Sequence, residues 1–276
     1  MLQPILPLEL HERIIDVVGN EAVIAFQAAE MVDDKVLLAL QSFSLVCRAW
    51  HASTLRHTFY GVRIAVSDGD SQDAEGLERT QLLHLLEVNP LIRQCIQDFD
   101  LYLTGPVSAE VVESLCHAVG PVETLRINML KSSGVELSRS SPWDGLHHLL
   151  TTHHLRNLSI RSDYLPTRLL EAPPSLRSLT LGGIEEVVID HESGDQDTGT
   201  WRSTKLERLV VIKTGHVLSI VDAAADDSLS AFFDHLKYLD MTFNMRDLFG
   251  DRQWNVILSR WTRLETLAIR WDILGE

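Results

Sequence analysis

A short apolar pattern recurs through the last two thirds of this chain and constrains its fold more than any other feature. The pattern reads apolar-x-x-apolar-x-apolar, and its seven starting positions step by 26, 33, 21, 30, 30 and 28 residues. The seven units are Ile96-Phe99-Leu101, Val122-Leu125-Ile127, Leu155-Leu158-Ile160, Leu176-Leu179-Leu181, Leu206-Leu209-Val211, Leu236-Leu239-Met241 and Leu264-Leu267-Ile269.

The spacing inside each unit predicts one β-strand. The second and third apolar residues are two apart, so on a strand they face the same side, while the first lies in the turn that enters the strand. Helix-like segments separate the units at Ser108–Val119, Trp143–Leu150, Leu165–Glu171, Ser228–Asp234 and Asp251–Trp261. One strand and one return segment per ~28 residues stack into a curved solenoid with a parallel sheet on its concave side. An ordinary α/β domain whose strands share this spelling is the alternative.

Residues that alternate with the inward pairs point out of the predicted sheet and are candidates for binding a partner. They mix charged, hydroxyl and apolar types, which suits protein recognition and forms no catalytic constellation. The alternative is that they are only the solvent face of the sheet. The candidates are Arg126, Asn128, Ser159, Arg161, Thr180, Val210, Asp240, Thr242 and Arg270.

The first 66 residues carry a different, helical pattern. We predict a helix from Pro7 that stops at Gly19-Asn20, a second over Glu21–Val32 and a third from Asp33 or Asp34 towards Val46. A short helix at Trp50–Phe59 and a strand at Val62–Val66 follow. The third helix is apolar around its circumference, and a unit of ~60 residues cannot bury so much surface against itself. Either the rest of the chain or a partner protein therefore covers it.

Two segments of this helical region carry a family resemblance. Leu6-Pro7-Leu8-Glu9-Leu10, followed by Ile14-Ile15, and later Ser44-Leu45-Val46-Cys47-Arg48-Ala49-Trp50 resemble the F-box. Leu55–Ile64 is also similar to F-box-like proteins abundant in mushroom-forming fungi, which likewise continue into irregular leucine-rich repeats. The predicted fold is therefore α/β, with an F-box-like helical domain at 4–66, an acidic linker at 67–79 and a leucine-rich-repeat-like domain at 80–276.

The chain departs from the family in one spacing. The distance from Leu6 to Trp50 is 44 residues. That is about 17 more than the family pattern, an excess that a longer connection between helices can absorb at little cost. The excess lies at Gly19–Asp34 and is either an extended helix or an inserted one.

The resemblance implies a role without chemistry. An F-box binds the Skp adaptor of an SCF-type cullin-RING ubiquitin ligase, and the repeats hold the protein to be modified. The implied adaptor-binding residues are Leu6, Pro7, Leu10, Ile14, Leu45, Val46 and Trp50. Several of them could equally be local core, and Trp50 is either internal core or a direct adaptor contact. The alternative function is a leucine-rich-repeat scaffold whose N-terminal helices only cap the solenoid.

The remaining composition excludes other classes. The formal charge is −15, of which residues 67–276 carry −13, so nucleic-acid binding is disfavoured. The acidic surface is either solubilising or a face that selects basic partners. Three cysteines without a CxxC motif predict buried thiols in a reducing compartment, cytosol or nucleus. No apolar run is long enough for a membrane span.

We find no motif for a hydrolase, a nucleotide site or a metal site, and we expect no enzyme activity and no cofactor. A histidine cluster at 147–154 and an imperfect calcium-like loop at 68–73 are interpreted as solvated surface. The sequence ends just after the strand of the seventh unit, as expected of a truncated or short member, unless Trp271 and Leu274 cover that strand.

Overall fold

A computed structural model describes most of the chain at the level of side chains. The described residues are 8–28, 33–67, 74–104, 107–130, 142–151, 154–166, 175–184, 186–188, 205–212, 234–244, 259 and 261–272. The structure is α/β, with helices and an all-parallel eight-stranded open sheet, as the sequence predicts and as a solenoid requires.

Seven helices are described. They are α1 (Leu8–Gln27), α2 (Asp34–Ser44), α3 (Arg48–Thr58), α4 (Ala74–Val88), α5 (Pro90–Cys95), α6 (Ala109–Val119) and α7 (Pro142–Leu150). Ten strands accompany them. They are β1 (Gly61–Ser67), β2 (Asp98–Thr104), β3 (Thr124–Leu130), β4 (Asn157–Arg161), β5 (Tyr164–Pro166), β6 (Ser178–Gly182), β7 (Glu186–Val188), β8 (Arg208–Ile212), β9 (Tyr238–Asn244) and β10 (Thr266–Asp272).

The seven predicted units form seven neighbouring strands in register. The large sheet has the order β1-β2-β3-β4-β6-β8-β9-β10, and β5 pairs with β7 in a separate two-stranded sheet. Phe99 of the first unit aligns with Leu125 of the second, and the corresponding residues continue through Leu179 to Leu267. The repeat is therefore confirmed as the element that sets the strand pairing.

The inward residues of these units form the main core. All three apolar residues of each of the first six units are at most 2% exposed. Helices α6 and α7 pack against them through buried side chains such as Leu115, Cys116, Trp143 and Leu146. The seventh unit lies at the edge of the sheet, and its Leu267 is 38% exposed.

A repeated backbone hydrogen-bond motif reveals an eighth unit that the sequence analysis missed. In each unit the carbonyl oxygen of the residue after the first apolar position accepts two N–H groups from the next unit, as Gln97 does from Glu123 and Thr124, both at 2.9 Å. The carbonyl of Tyr60 makes the same pair of bonds, to Gln97 and Asp98. Phe59-Val62-Ile64 thus starts the repeat, and the predicted strand at Val62–Val66 is the first strand of the large sheet.

The predicted helix stop at Gly19-Asn20 is wrong, since α1 runs unbroken from Leu8 to Gln27. The excess length relative to the F-box is largely an extended helix. Gly19 is buried, and a Cβ at this position would overlap the imidazole of His57 on α3. This glycine is required for close helix packing, which outweighs its low helix propensity.

Other local predictions meet different outcomes. The third helix is confirmed as α2, with the Asp33 side chain accepting from the Lys35 N–H, and α3, α6 and α7 match their predicted positions. The predicted linker at 67–79 is too long, because α4 already begins at Ala74. The helix predicted from Leu165 is wrong at its start, where β5 pairs with β7.

Several predictions fall on residues that are not described. These are most of the predicted helices at 228–234 and 251–261, the calcium-like loop at 68–73, and Leu274 with the side chain of Trp271, on which the coverage of the last strand depends.

Candidate functional site

The two segments that carry the F-box resemblance lie against each other. The ring of Trp50, in the first turn of α3, packs edge-on against His11 of α1, with ring centroids 4.9 Å apart. It also contacts Phe43 near the end of α2, at 5.4 Å. The extra length between the segments therefore does not separate them. Leu6 and Pro7 lie outside the described residues.

The helical unit has a small core of its own. Ile15, Ala22 and Leu40 are buried at its centre, and partly buried side chains including Trp50 pack around them. Trp50 is half-buried within this cluster, so the internal-core interpretation describes its position better than the direct-contact one. Cys47 precedes α3 and is exposed, which corrects the prediction of a buried thiol.

Large apolar side chains are exposed on this unit at the predicted adaptor-binding positions. Leu10 and Ile14 are 42% and 43% exposed, and Leu45 and Val46 in the α2–α3 turn are 87% and 60% exposed. Val17, Ile24 and Leu38 are also exposed. We call these seven residues the apolar helical surface. Of the eleven large apolar residues that are exposed in the described part of the chain, seven belong to this helical unit, within residues 8–46.

The extended end of α1 reaches the large sheet. The Phe26 ring lies over Gly61 so closely that a Cβ at Gly61 would overlap it. Its face also meets the guanidinium carbons of Arg63 at 5.3 Å and Arg126 at 5.9 Å. The neighbouring Gln27 amide donates to the Tyr60 hydroxyl at 3.0 Å. The helical unit is thereby anchored to the first strands on the face that carries the polar rows.

Beside this contact lies a buried ionic network. Asp98 and Asp100 project from β2 and are each 1% exposed. Arg126 donates to Asp98 Oδ1 at 2.8 Å. Asp100 accepts from Arg63 Nε and from Asn128 Nδ2, both at 3.0 Å. Burial raises the pKa of Asp98 to about 6, although the nearby Arg126 opposes this rise.

The predicted partner-binding residues divide into two groups. Arg126 and Asn128 are engaged in the buried network, and Asp240 is 5% exposed with Oδ2 accepting from Arg270 at 2.8 Å and from Tyr238 at 3.2 Å. The others, including Arg270 with its bond to Asp240, lie along the rest of the same face, in the two rows that the register defines. They are Ser159, Arg161, Thr180, Val210, Thr242 and Arg270.

Sequence reasoning missed a third row and the start of the face. The register places Arg63, Asp98, Asp100, Arg208 and Tyr238 on the same side as the predicted residues. The alternation of Asp98 and Asp100 with the inward Phe99 and Leu101 was the available signal. We call the three rows together the polar sheet face. Its positions are 61, 63 and 65 on β1 and their partners in register on the seven following strands.

The described residues were also searched for metal-binding groups and for membrane-spanning helices. They contain no group of three or more His, Cys, Asp or Glu side chains arranged to hold a metal ion. Of the helices that can be described, none combines the length and apolar character needed to cross a bilayer.

Comparisons with known proteins return no family for this chain. No protein-family model matches it, and no curated protein matches it.

Proposed function

We propose that this chain is a non-catalytic substrate-recognition subunit of an SCF-type cullin-RING ubiquitin ligase. The apolar helical surface would bind the Skp adaptor, and the polar sheet face would hold the protein to be ubiquitinated. The observation that carries the proposal is the exposure of Leu45 and Val46 beside the Trp50–His11 contact. Leu45, Val46 and Trp50 belong to one of the two segments that resemble the F-box, and the Trp50–His11 contact brings it against α1, which carries most of the other.

The energetics favour a partner at this surface. Burying a Leu or Val side chain contributes ~1.5–3 kcal/mol relative to leaving it in water. Several exposed large apolar residues on one small helical unit favour an interaction site there. An apolar contact gives binding energy that does not depend on charge complementarity with the acidic chain.

The proposed mechanism is one of proximity. One surface holds the ligase through its adaptor, and the other holds the target, so transfer of ubiquitin to a target lysine becomes effectively intramolecular. The Phe26 and Gln27 contacts with the sheet would limit how far the two surfaces can move relative to each other. We propose that the protein acts in the cytosol or nucleus, where such ligases operate.

Adaptor binding is tested with paired variants. The chain is co-expressed with a Skp adaptor, and complex formation is measured by size-exclusion chromatography and calorimetry. Leu45→Asp with Val46→Asp is expected to abolish the complex, because charged side chains would have to be desolvated at the contact. The matched control is Val88→Asp with Leu91→Asp, since these residues are 67% and 59% exposed but lie on α4 and α5. Circular dichroism verifies that all variants fold.

Two outcomes would overturn the proposal. One is a folded wild-type chain that forms no complex with the adaptor. The other is a Leu45/Val46 variant that binds as tightly as the Val88/Leu91 control.

The capping scaffold is the second candidate function. It is favoured by the contact of α1 with the first strand, which covers part of that end of the sheet. It predicts that α2 and the following turn are already buried, whereas Leu38, Leu45 and Val46 are exposed. Hydrogen exchange of residues 36–46 distinguishes the two functions, because only the ligase function predicts that adding the adaptor increases their protection.

A further inference from the structure

The polar sheet face is basic although the chain is strongly acidic. Its three rows contain five arginines (Arg63, Arg126, Arg161, Arg208 and Arg270) and three aspartates (Asp98, Asp100 and Asp240), a formal charge of +2. The whole chain has a formal charge of −15. The sign of the charge on this face is therefore opposite to that of the chain as a whole, and the overall composition does not explain it.

Solvent meets the positive charges of this face and not the negative ones. The three carboxylates are between 1% and 5% exposed, and each accepts a hydrogen bond from an arginine of the face. Five side chains in the rows are exposed, and four of them are arginines. They are Arg63, Arg161, Arg208 and Arg270. A ligand approaching the face therefore encounters guanidinium groups first.

Two of these arginines have no carboxylate partner within the described part of the chain. Arg161 lies across Gly182, where a Cβ would be 3.1 Å from the Arg161 Cγ. Arg208 lies over the ring of Tyr238, with 4.6 Å between the guanidinium carbon and the ring centroid. Both side chains rest on a neighbouring strand, which holds them in place while their donors stay available. A preorganised guanidinium loses less conformational freedom when it binds a carboxylate.

The surface between Arg161 and Arg208 carries only small side chains, so an extended peptide backbone can lie across it. Ser178, Thr180 and Gly182 of β6 lie between β4, which carries Arg161, and β8, which carries Arg208. The two arginines are two strands and four residues apart in register, which corresponds to about 16 Å between their Cα atoms. An extended peptide covers that distance with about five residues.

We infer that the polar sheet face binds an extended acidic segment of the partner protein, whose carboxylates pair with Arg161 and Arg208. This inference rests on the proposed role of the face in holding a target, but it does not depend on adaptor binding. A short peptide with a few carboxylates suits the face better than a nucleic acid, because a polyphosphate continues its negative charge beyond this small basic region, where the −15 chain repels it.

The probe is a short fluorescein-labelled Gly/Ser peptide with two Glu-Glu pairs separated by three residues, and its counterpart with Gln in place of Glu. Fluorescence anisotropy with the full chain is expected to show binding of the Glu peptide only. Raising the salt concentration from about 0.05 M to about 0.5 M should weaken that binding, because ion pairs at an open face are screened.

Arg161→Ala with Arg208→Ala is expected to weaken binding about tenfold, because two exposed ion pairs are lost. Arg161→Lys with Arg208→Lys keeps both positive charges. Its loss of affinity should therefore be less than half of the loss that the double Ala variant shows. The matched control is Arg13→Ala with Arg56→Ala, which removes two exposed arginines from α1 and α3 and should leave binding unchanged.

The inference is overturned if the Glu and Gln peptides bind equally, or if the Arg161/Arg208 and Arg13/Arg56 variants behave alike. It is also overturned if an oligothymidylate of similar length binds as tightly as the Glu peptide, which would indicate a nucleic-acid site. The Arg161/Arg208 variant should still form the adaptor complex, so a failure here is distinguishable from a failure of the proposed function.

Discussion

Arg126 donates to Oδ1 of Asp98 over 2.8 Å, whereas Oδ2 of the same carboxylate is buried without a hydrogen-bond partner among the described residues. Asp98 thus gains one strong interaction for its charged form and loses most of its hydration. The second effect is larger, since the pKa is raised to about 6. The charged groups around it are Arg126, Arg63 and Asp100, and Asp100 repels its negative charge.

The raised pKa predicts a pH-dependent stability. Between pH 4 and pH 6 the folded chain binds a proton on Asp98 that the unfolded chain releases, so this stabilisation is present at low pH and lost as pH rises through 6. A shift from 3.8 to about 6 corresponds to on the order of 3 kcal/mol. Asn at position 98 does not titrate. The stability of Asp98→Asn relative to wild type should therefore rise by up to that amount from pH 4 to pH 7.

This prediction is measured by urea unfolding, followed by tryptophan fluorescence, at several pH values. Asp234→Asn serves as the control, because it removes one negative charge from an exposed position. An equal difference between Asp98→Asn and wild type at every pH would contradict the prediction.

The contact between Gly19 and His57 predicts a helix glycine that alanine cannot replace. Alanine has a helix propensity more favourable by about 1 kcal/mol, so a solvent-facing Gly→Ala change would stabilise α1. Here the added methyl group meets the imidazole, and overpacking of this kind costs ~1–3 kcal/mol. Gly19→Ala should therefore lower the free energy of unfolding. Adding His57→Ala should cancel the penalty, and strictly additive effects of the two changes would show that the contact is unimportant.

The strands of the seven predicted units could be predicted because their signal is local. Each pair such as Leu179 and Leu181 alternates with outward residues inside a single strand, so no distant contact is needed to identify it. The eighth unit, Phe59-Val62-Ile64, has the same spelling, but the sequence places it in the predicted helical domain, with which it is continuous. The parallel pairing of β1 with β2 shows that this unit belongs to the repeat, and that pairing joins residues 37 positions apart.

The parts that could not be predicted depend on long-range contacts. A glycine followed by asparagine is a good local stop signal, but α1 continues through it, and Gly19 packs against His57, 38 residues later. The burial of Asp98 likewise depends on its surroundings on the folded face, close to where Phe26 packs over Arg126. For the candidate surfaces, the sequence predicted which residue types are present, and only the structure showed which are engaged.

The Phe26 ring predicts a measurable contribution from its two arginine contacts. Each cation–π pair of this kind contributes ~0.5–1 kcal/mol, so Phe26→Ala should destabilise the chain by at least about 1–2 kcal/mol. Phe26→Leu keeps an apolar cover over Gly61 but removes the aromatic face, and it should fall between Phe26→Ala and wild type. Urea unfolding measures both variants. A Leu variant as stable as wild type would show that only apolar cover matters.

Equivalent leucines in the middle and at the edge of the sheet should differ sharply in their effect on stability. Leu179 and Leu267 occupy the same position of their units, but Leu179 is 1% exposed and Leu267 is 38% exposed. Leu179→Ala leaves a cavity between β4 and β8 and should cost ~2–5 kcal/mol. Leu267→Ala removes a side chain that already meets solvent, so it should cost below about 1.5 kcal/mol. The pair is its own control, since the chemical change is identical. Equal losses in the urea midpoint would mean that the last unit is covered as completely as the middle of the sheet.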